Sequence, residues 1–131
     1  LRLPMIHHPA YSGGFVSPGV SGVADYLQLG LLPRIFGADM SIFVSYGGRF
    51  TFTEEQCKRI SSYIKRPMGL MKAACPAPGG GVTDARLNEL VELYGNDTMF
   101  LVGGDMFRRG PDIEANMSYF VERLTKLSER T

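Results

Sequence analysis

The chain has 131 residues, a length that suits one ordinary domain, and its 44% hydrophobic and 21% charged residues match a soluble globular protein. A formal net charge of +1 leaves no basic or acidic surplus that would point to nucleic acid or an anionic membrane. The longest apolar stretch, Tyr26 to Val44, is interrupted by Pro33, Arg34 and Asp39, so it does not span a bilayer, and Leu1 to Ile6 is too short for the apolar core of a secretory signal.

"LRLPMIHH", Leu1 to His8, reads as a buried strand ending at two histidines. Val20 to Phe36 then carries Val23, Tyr26, Leu27, Leu31 and Leu32 at helical spacing, with a step expected near Gly30 and Pro33. A second strand follows at Met40 to Val44, then a glycine loop. Thr53, followed by Glu54 and Glu55, is a cap signature that opens a helix running to about Lys65. "GLMKAACPAPGGG" supplies a third strand and its loop. A helix capped by Thr83 or its neighbour places Leu87, Leu90, Val91 and Tyr94 on one face and ends at Gly95. "TMFLVGG" is the fourth strand, and the last helix starts at Pro111 with Ile113, Met117, Phe120, Val121 and Leu124 on its apolar face. Cys57 and Cys75 lack a metal or redox spacing and are expected to be buried free thiols, which suits a reducing cytoplasm.

Strands alternating with helices imply a parallel sheet. Two α/β architectures fit: an open doubly wound sheet, or part of a (β/α)8 barrel, of which this length is about half. In both, ligands bind at the carboxyl ends of the strands, where Gly13-Gly14, Gly47-Gly48, Gly79-Gly80-Gly81 and Gly103-Gly104 recur. A turn needs one or two glycines. Three in a row, followed by a helix, suit an anion held by backbone N–H groups and a helix N-terminus. The plainer reading is that they are tight turns.

"HHPAYSGGF", "FGADMSIFVSYGGRFTF", "RPMGLMKAACPAPGGG" and "ELYGNDTMFLVGG" follow in an order and spacing that resembles the catalytic barrel of the ribulose-bisphosphate carboxylase large chain. The likeness is to its non-carboxylating branch, the RuBisCO-like proteins, and runs from Leu3 to Leu127. It implies a fold of parallel (β/α) units, the C-terminal half of a TIM (β/α)8 barrel, with residues 1–131 as one partial barrel domain of four βα units. A first residue that is Leu1 and not Met is expected of a piece of something longer.

The resemblance also implies site residues. His8 matches the active-site histidine at the end of the fifth barrel strand. Pro9 stands where the carboxylases have a phosphate-binding arginine, Ile42-Phe43-Val44 lacks their sixth-strand histidine, and Pro78 replaces a serine. One phosphate site is thus dismantled, while Gly79, Gly80, Gly103 and Gly104 retain the other, which implies a monophosphorylated substrate. Arg49, after Gly48, stands where the carboxylases carry a lysine. It keeps the charge as a planar fork instead of a compact ammonium, suited to a carboxylate or other anion. The family's Mg2+ site, with a lysine carbamylated by CO2, has no Lys-x-Asp-Glu counterpart here and is expected upstream.

The expectation is therefore the C-terminal part of an enzyme that enolises, isomerises or decarboxylates a phosphorylated keto compound, cytoplasmic and dimer-based, without CO2 fixation. His8 and Arg49 would be its catalytic residues in this segment, which alone is expected to be inactive. The alternatives are a non-catalytic phosphate-binding or structural half-barrel, in which His8 and Arg49 are ordinary strand-end and loop residues, and a flavodoxin-like open sheet. His7 is expected to pack or face solvent. Lys72, Asp105, Arg108 and Arg109 read as structural or solvated, and Tyr46 as a lid or a packing residue.

Overall fold

A computed structural model describes residues 3–16 and 22–129. Leu1, Arg2 and residues 17–21, where the first strand and first long helix were expected to begin, lie outside the described residues. The elements in chain order are β1 (Ile6–His7), α1 (Gly13–Val16), a π-helix (Tyr26–Leu31), α2 (Leu32–Ile35), β2 (Met40–Val44), α3 (Glu54–Lys65), β3 (Cys75–Gly79), a 3-10 turn (Asp84–Arg86), α4 (Leu87–Tyr94), α5 (Gly104–Arg108) and α6 (Ile113–Ser128).

The sheet runs β1-β2-β3, all parallel, with Ile6 beside Met40 and Val44 beside Gly79. Consecutive order, joined by crossovers of one hand, puts the crossover helices on one face. Burial agrees. Ser41, Phe43 and Ser45 are fully buried, and Ser45 and Phe43 meet Tyr94 of α4, whereas Met40, Ile42 and Val44 between them are half-buried on the other face. A singly wound parallel arc is a barrel segment, and a doubly wound open sheet does not fit it. The core lies between this arc and its helices. Phe43, Leu29, Cys57, Ile60, Ile64, Leu87, Leu90, Val91, Tyr94 and Phe120 form one cluster.

Most elements form as their sequence dictates. Thr53 and Gln56 build a reciprocal capping box at the start of α3, so the partner of Thr53 is Gln56 and not Glu54 or Glu55. The buried Arg34 donates to the carbonyls of Tyr63, near the end of α3, and Lys72. In α4, Leu87, Leu90, Val91 and Tyr94 are all buried, as their spacing requires.

Six expectations need correction. The first strand is only Ile6–His7, and Gly13-Gly14 opens a short helix instead of a loop. The helix before Phe36 is π-wound, with Leu32 N–H donating to Leu27 five residues back. That rotates the face, so Leu32 is exposed while Leu29 and Gly30 are buried, and Val23, which precedes the helix, is exposed as well. The fourth strand is a single bridge, Gly79 to Leu101. Met99 and Leu101 N–H donate to Pro76 and Pro78 carbonyls, but the prolines have no N–H to return, so half of that ladder is missing. The last helix starts at Ile113, capped by Asp112, and Met117 and Val121 are exposed on the face expected to be buried. Cys57 is buried, but Cys75 is only half-buried.

Candidate functional site

The carboxyl ends of β2, β3 and the extended segment at Leu101 bring three loops together. Ser45 N–H donates to Gly79 O at 2.8 Å, and Leu101 N–H donates to Pro78 O at 3.0 Å. The Asp84 N–H donates to the Asp105 carboxylate at 2.9 Å, which ties the loop after β3 to α5. Gly79, Gly80, Gly103 and Gly104 therefore stand at adjacent strand ends.

The glycines do different work. An added Cβ at Gly79 would lie 3.3 Å from the Leu101 side chain, so Gly79 is accounted for by strand packing. Gly81, with φ +70°, would place a Cβ 2.8 Å from Gly48 N and 3.1 Å from an Arg86 nitrogen. At Gly48 the same atom would lie 3.0 Å from Gly81 N. The two loops thus touch backbone to backbone, with no room for a side chain. Gly80 has φ +77° but meets nothing closer than Val44, at 3.9 Å. Gly103 and Gly104 have ordinary φ and nothing within 4 Å of an added Cβ. Gly104 is the first residue of α5, directly after its cap Gly103. Neither dihedral nor packing among the described residues explains the choice of glycine there. Gly14 in α1 is open in the same way.

One element of the expected anion cradle is absent. The helix after β3 begins as a 3-10 turn whose cap, Thr83, makes no side-chain bond, and the Asp84 amide is taken by Asp105. The Asp84 carboxylate in turn receives the Tyr119 hydroxyl at 2.8 Å and Arg123 Nε at 3.2 Å. Those two donors hold the carboxyl below its ordinary pKa, Tyr119 contributing most. Arg109 stacks on Tyr119, 3.5 Å from the ring centroid. Asp105, Arg108 and Arg109 are thus tied into a structural network, as are Asp84 and Arg123.

His8 directly follows β1, level with Ile42 in the register, and is exposed. His7 points the other way: its Nδ1 lies 3.0 Å from Ser41 Oγ, whose proton goes to Leu29 O at 2.7 Å. Ser41 therefore accepts, and His7 carries its proton on Nδ1. Burial, followed by the neighbouring His8, lowers the His7 pKa. Arg49 lies in the loop after β2, directly after Gly48, exposed and 4.8 Å from the Phe50 ring centroid. The structure brings Arg49's loop against Gly81. His8 stands just past the end of β1, and β2 lies between β1 and β3.

Arg86 carries no mark in the sequence-based site, yet it joins these loops. Its Nη1 donates to Tyr46 O at 2.7 Å and to Gly81 O at 3.0 Å. Its Nη2 lies 2.9 Å from Glu89 Oε1 and its Nε 3.4 Å from Oε2, and its guanidinium sits 4.5 Å from the Tyr46 ring centroid. The Tyr46 hydroxyl also donates to Glu89. Burial and that bond push the Tyr46 phenol up to about 12, while Arg86 and then Tyr46 hold the Glu89 carboxyl low. Tyr46 is therefore part of a clasp. The readable signal was a cation in the first turn of a helix, where the dipole disfavours it.

Among the described residues, no group of three or more His, Cys, Asp or Glu side chains is placed to hold a metal ion. No helix among them is long and apolar enough to cross a membrane.

No family model matches the chain. It is 35% identical over 118 residues to ribulose bisphosphate carboxylase-like protein 1 of Rhodopseudomonas palustris, covering 90% of this chain and 30% of that protein. It is 31% identical over 112 residues to 5-methylthioribulose-1-phosphate isomerase of Rhodospirillum rubrum, covering 86% and 30%. Against 2,3-diketo-5-methylthiopentyl-1-phosphate enolase of Exiguobacterium sibiricum it is 31% identical over 104 residues, covering 79% and 26%. In structure it matches a rubisco-like protein, MtnW, from Alicyclobacillus acidocaldarius with a TM-score of 0.87 and 27% identity over 98% of this chain and 32% of that one. The chain therefore spans between 26% and 30% of the length of these curated relatives. The chain belongs to the RuBisCO-like protein family and corresponds to the C-terminal part of its members.

Proposed function

We propose that residues 1–131 are one partial barrel domain, the C-terminal part of an enzyme that acts on a monophosphorylated keto sugar or keto acid by enolisation, isomerisation or decarboxylation, and not by carboxylation. The observation that carries the reading is the open space at Gly80, Gly103 and Gly104, three glycines at adjoining strand ends. A phosphate there would be met by backbone amides without a Cβ in the way. Relatives named as a methylthioribulose-phosphate isomerase and a diketo-methylthiopentyl-phosphate enolase support a phosphorylated keto substrate.

In this reading Gly80, Gly103 and Gly104 bind the phosphate, Arg49 holds a second anionic or polar group, and His8 hydrogen-bonds substrate hydroxyls or moves a proton. Magnesium would stabilise enolate charge. Its ligands, including the carbamylated lysine that the resemblance implies, would lie upstream of these residues. A cytoplasmic, dimer-based enzyme is part of the same proposal.

The test is isothermal titration of 5-methylthioribulose 1-phosphate into the full-length protein and its Gly80→Val variant. Gly80→Val adds bulk where the phosphate would approach and also strains the left-handed backbone at φ +77°, so it should lose binding at some cost in stability. Unchanged binding would remove the phosphate site. His8→Ala should lower turnover more than binding, and unchanged turnover would remove His8 from the mechanism.

A further inference from the structure

We propose that Arg86 is a positioning residue that clasps the loop carrying Arg49 to the loop carrying Gly80, so that the two anion-binding groups are held as one unit. For its ligand this rests on the function proposed above. The clasp itself rests on geometry alone.

A single nitrogen, Arg86 Nη1, bonds carbonyls from both loops, Tyr46 O and Gly81 O. The remaining donors used by the guanidinium turn back to Glu89, three residues along, and Glu89 also takes the Tyr46 hydroxyl. Four of the five guanidinium N–H groups are thereby engaged inside the protein, so Arg86 is not itself the anion's ligand. Its face covers the Tyr46 ring, and a Cβ at Gly47 would collide with it. A lysine cannot replace these contacts together, because an ammonium has neither the planar fork nor the stacking face.

The clasp acts on the site through the chain. Gly48 touches Gly81 directly, Arg49 follows Gly48, and Gly80 precedes Gly81. Fixing Tyr46 O against Gly81 O therefore fixes the base of the Arg49 loop against the Gly80 amide. Two groups pre-set in this way lose less freedom on meeting a ligand.

Hydrogen exchange on the full-length protein tests the clasp without any ligand. In Arg86→Met, amides of 46–49 and of 80–82 should both exchange about tenfold faster or more, the scale of one charge-assisted hydrogen bond. Amides of α3 should keep their wild-type rates. Arg86→Lys should give the same joint effect, smaller in size, and it decides the matter if Arg86→Met fails to fold. A folded variant in which only one loop speeds up, or neither does, would overturn the proposal. Binding of 5-methylthioribulose 1-phosphate supplies the second readout. Arg86→Met should weaken it about tenfold, with Arg86→Lys between that and the wild type, and unchanged binding would confine Arg86 to structure. If the wild type itself does not bind, the proposed function fails, while the exchange result on the clasp still stands.

Discussion

Alanine at Gly80 and at Gly81 separates the two kinds of work that adjacent glycines do. Both residues are left-handed, at φ +77° and +70°, so each substitution strains the backbone by about 1–2 kcal/mol. The surroundings then differ. The nearest atom to a Cβ at Gly80 is a Val44 methyl at 3.9 Å, an ordinary contact. At Gly81 the Cβ would lie 2.8 Å from Gly48 N and 3.1 Å from Gly47 C, both backbone atoms that no rotamer change can move. Forcing that contact costs a further ~1–3 kcal/mol, as overpacking does elsewhere. Gly80→Ala should therefore lose about 1–2 kcal/mol and Gly81→Ala about 2–5 kcal/mol. Urea unfolding of the full-length protein measures both. With slopes of ~1–3 kcal/mol/M, the midpoint for Gly81→Ala should fall clearly below that for Gly80→Ala. Equal midpoints would mean that the loops do not touch at Gly48 and Gly81, and the reasoning for the clasp would fall with them.

Other perturbations read different parts of the molecule. Thr53→Ala removes one arm of the capping box and should cost about 1 kcal/mol by urea unfolding, with Thr53→Ser restoring most of it. Phe43→Ala empties a fully buried site against Tyr94 and should cost ~3–5 kcal/mol, enough to threaten folding; a loss below ~1 kcal/mol would contradict the core assignment. Asp84→Asn should lose about 1 kcal/mol at neutral pH, because the pairs with Tyr119 and Arg123 weaken. The folded pKa of Asp84 is depressed, so its contribution is complete above the ordinary carboxylate pKa and disappears as pH falls through the lowered value. The gap between wild type and Asp84→Asn should therefore close in acid, and a gap that persists there would refute the ion-pair account.

Legibility in the sequence followed how local each determinant is. The buried stripe of α4 and the extent of α3 were readable because spacing and caps act within a few residues. The π-helix was not, since one extra residue per hydrogen-bonded turn leaves no signature in a 3.6-residue pattern. What the structure does explain is the glycine at its centre: a Cβ at Gly30 would lie 2.8 Å from Tyr63 Cβ, so Gly30 lets this helix lie against α3. The fourth strand failed for a cause that was printed in its neighbour, the donors missing from Pro76 and Pro78. On the site side, the family motifs marked the glycines at the strand ends, while Arg86 was passed over because its acceptors are carbonyls 5 and 40 residues away in the chain.

The run Gly79-Gly80-Gly81 then has three separate explanations. Gly79 makes room for Leu101, and Gly81 makes room for the backbone of the Gly47-Gly48 loop. Only Gly80 faces open space, as Gly103 and Gly104 do on the neighbouring strand end. Two glycines of the run are thus accounted for by packing, which leaves Gly80 for the phosphate-binding role proposed above. In the function proposed above, the close approach of Gly81 to Gly48 sets the base of the Arg49 loop beside Gly80, and Arg86, bonded to Tyr46 O and Gly81 O, would keep that loop in place before a ligand arrives.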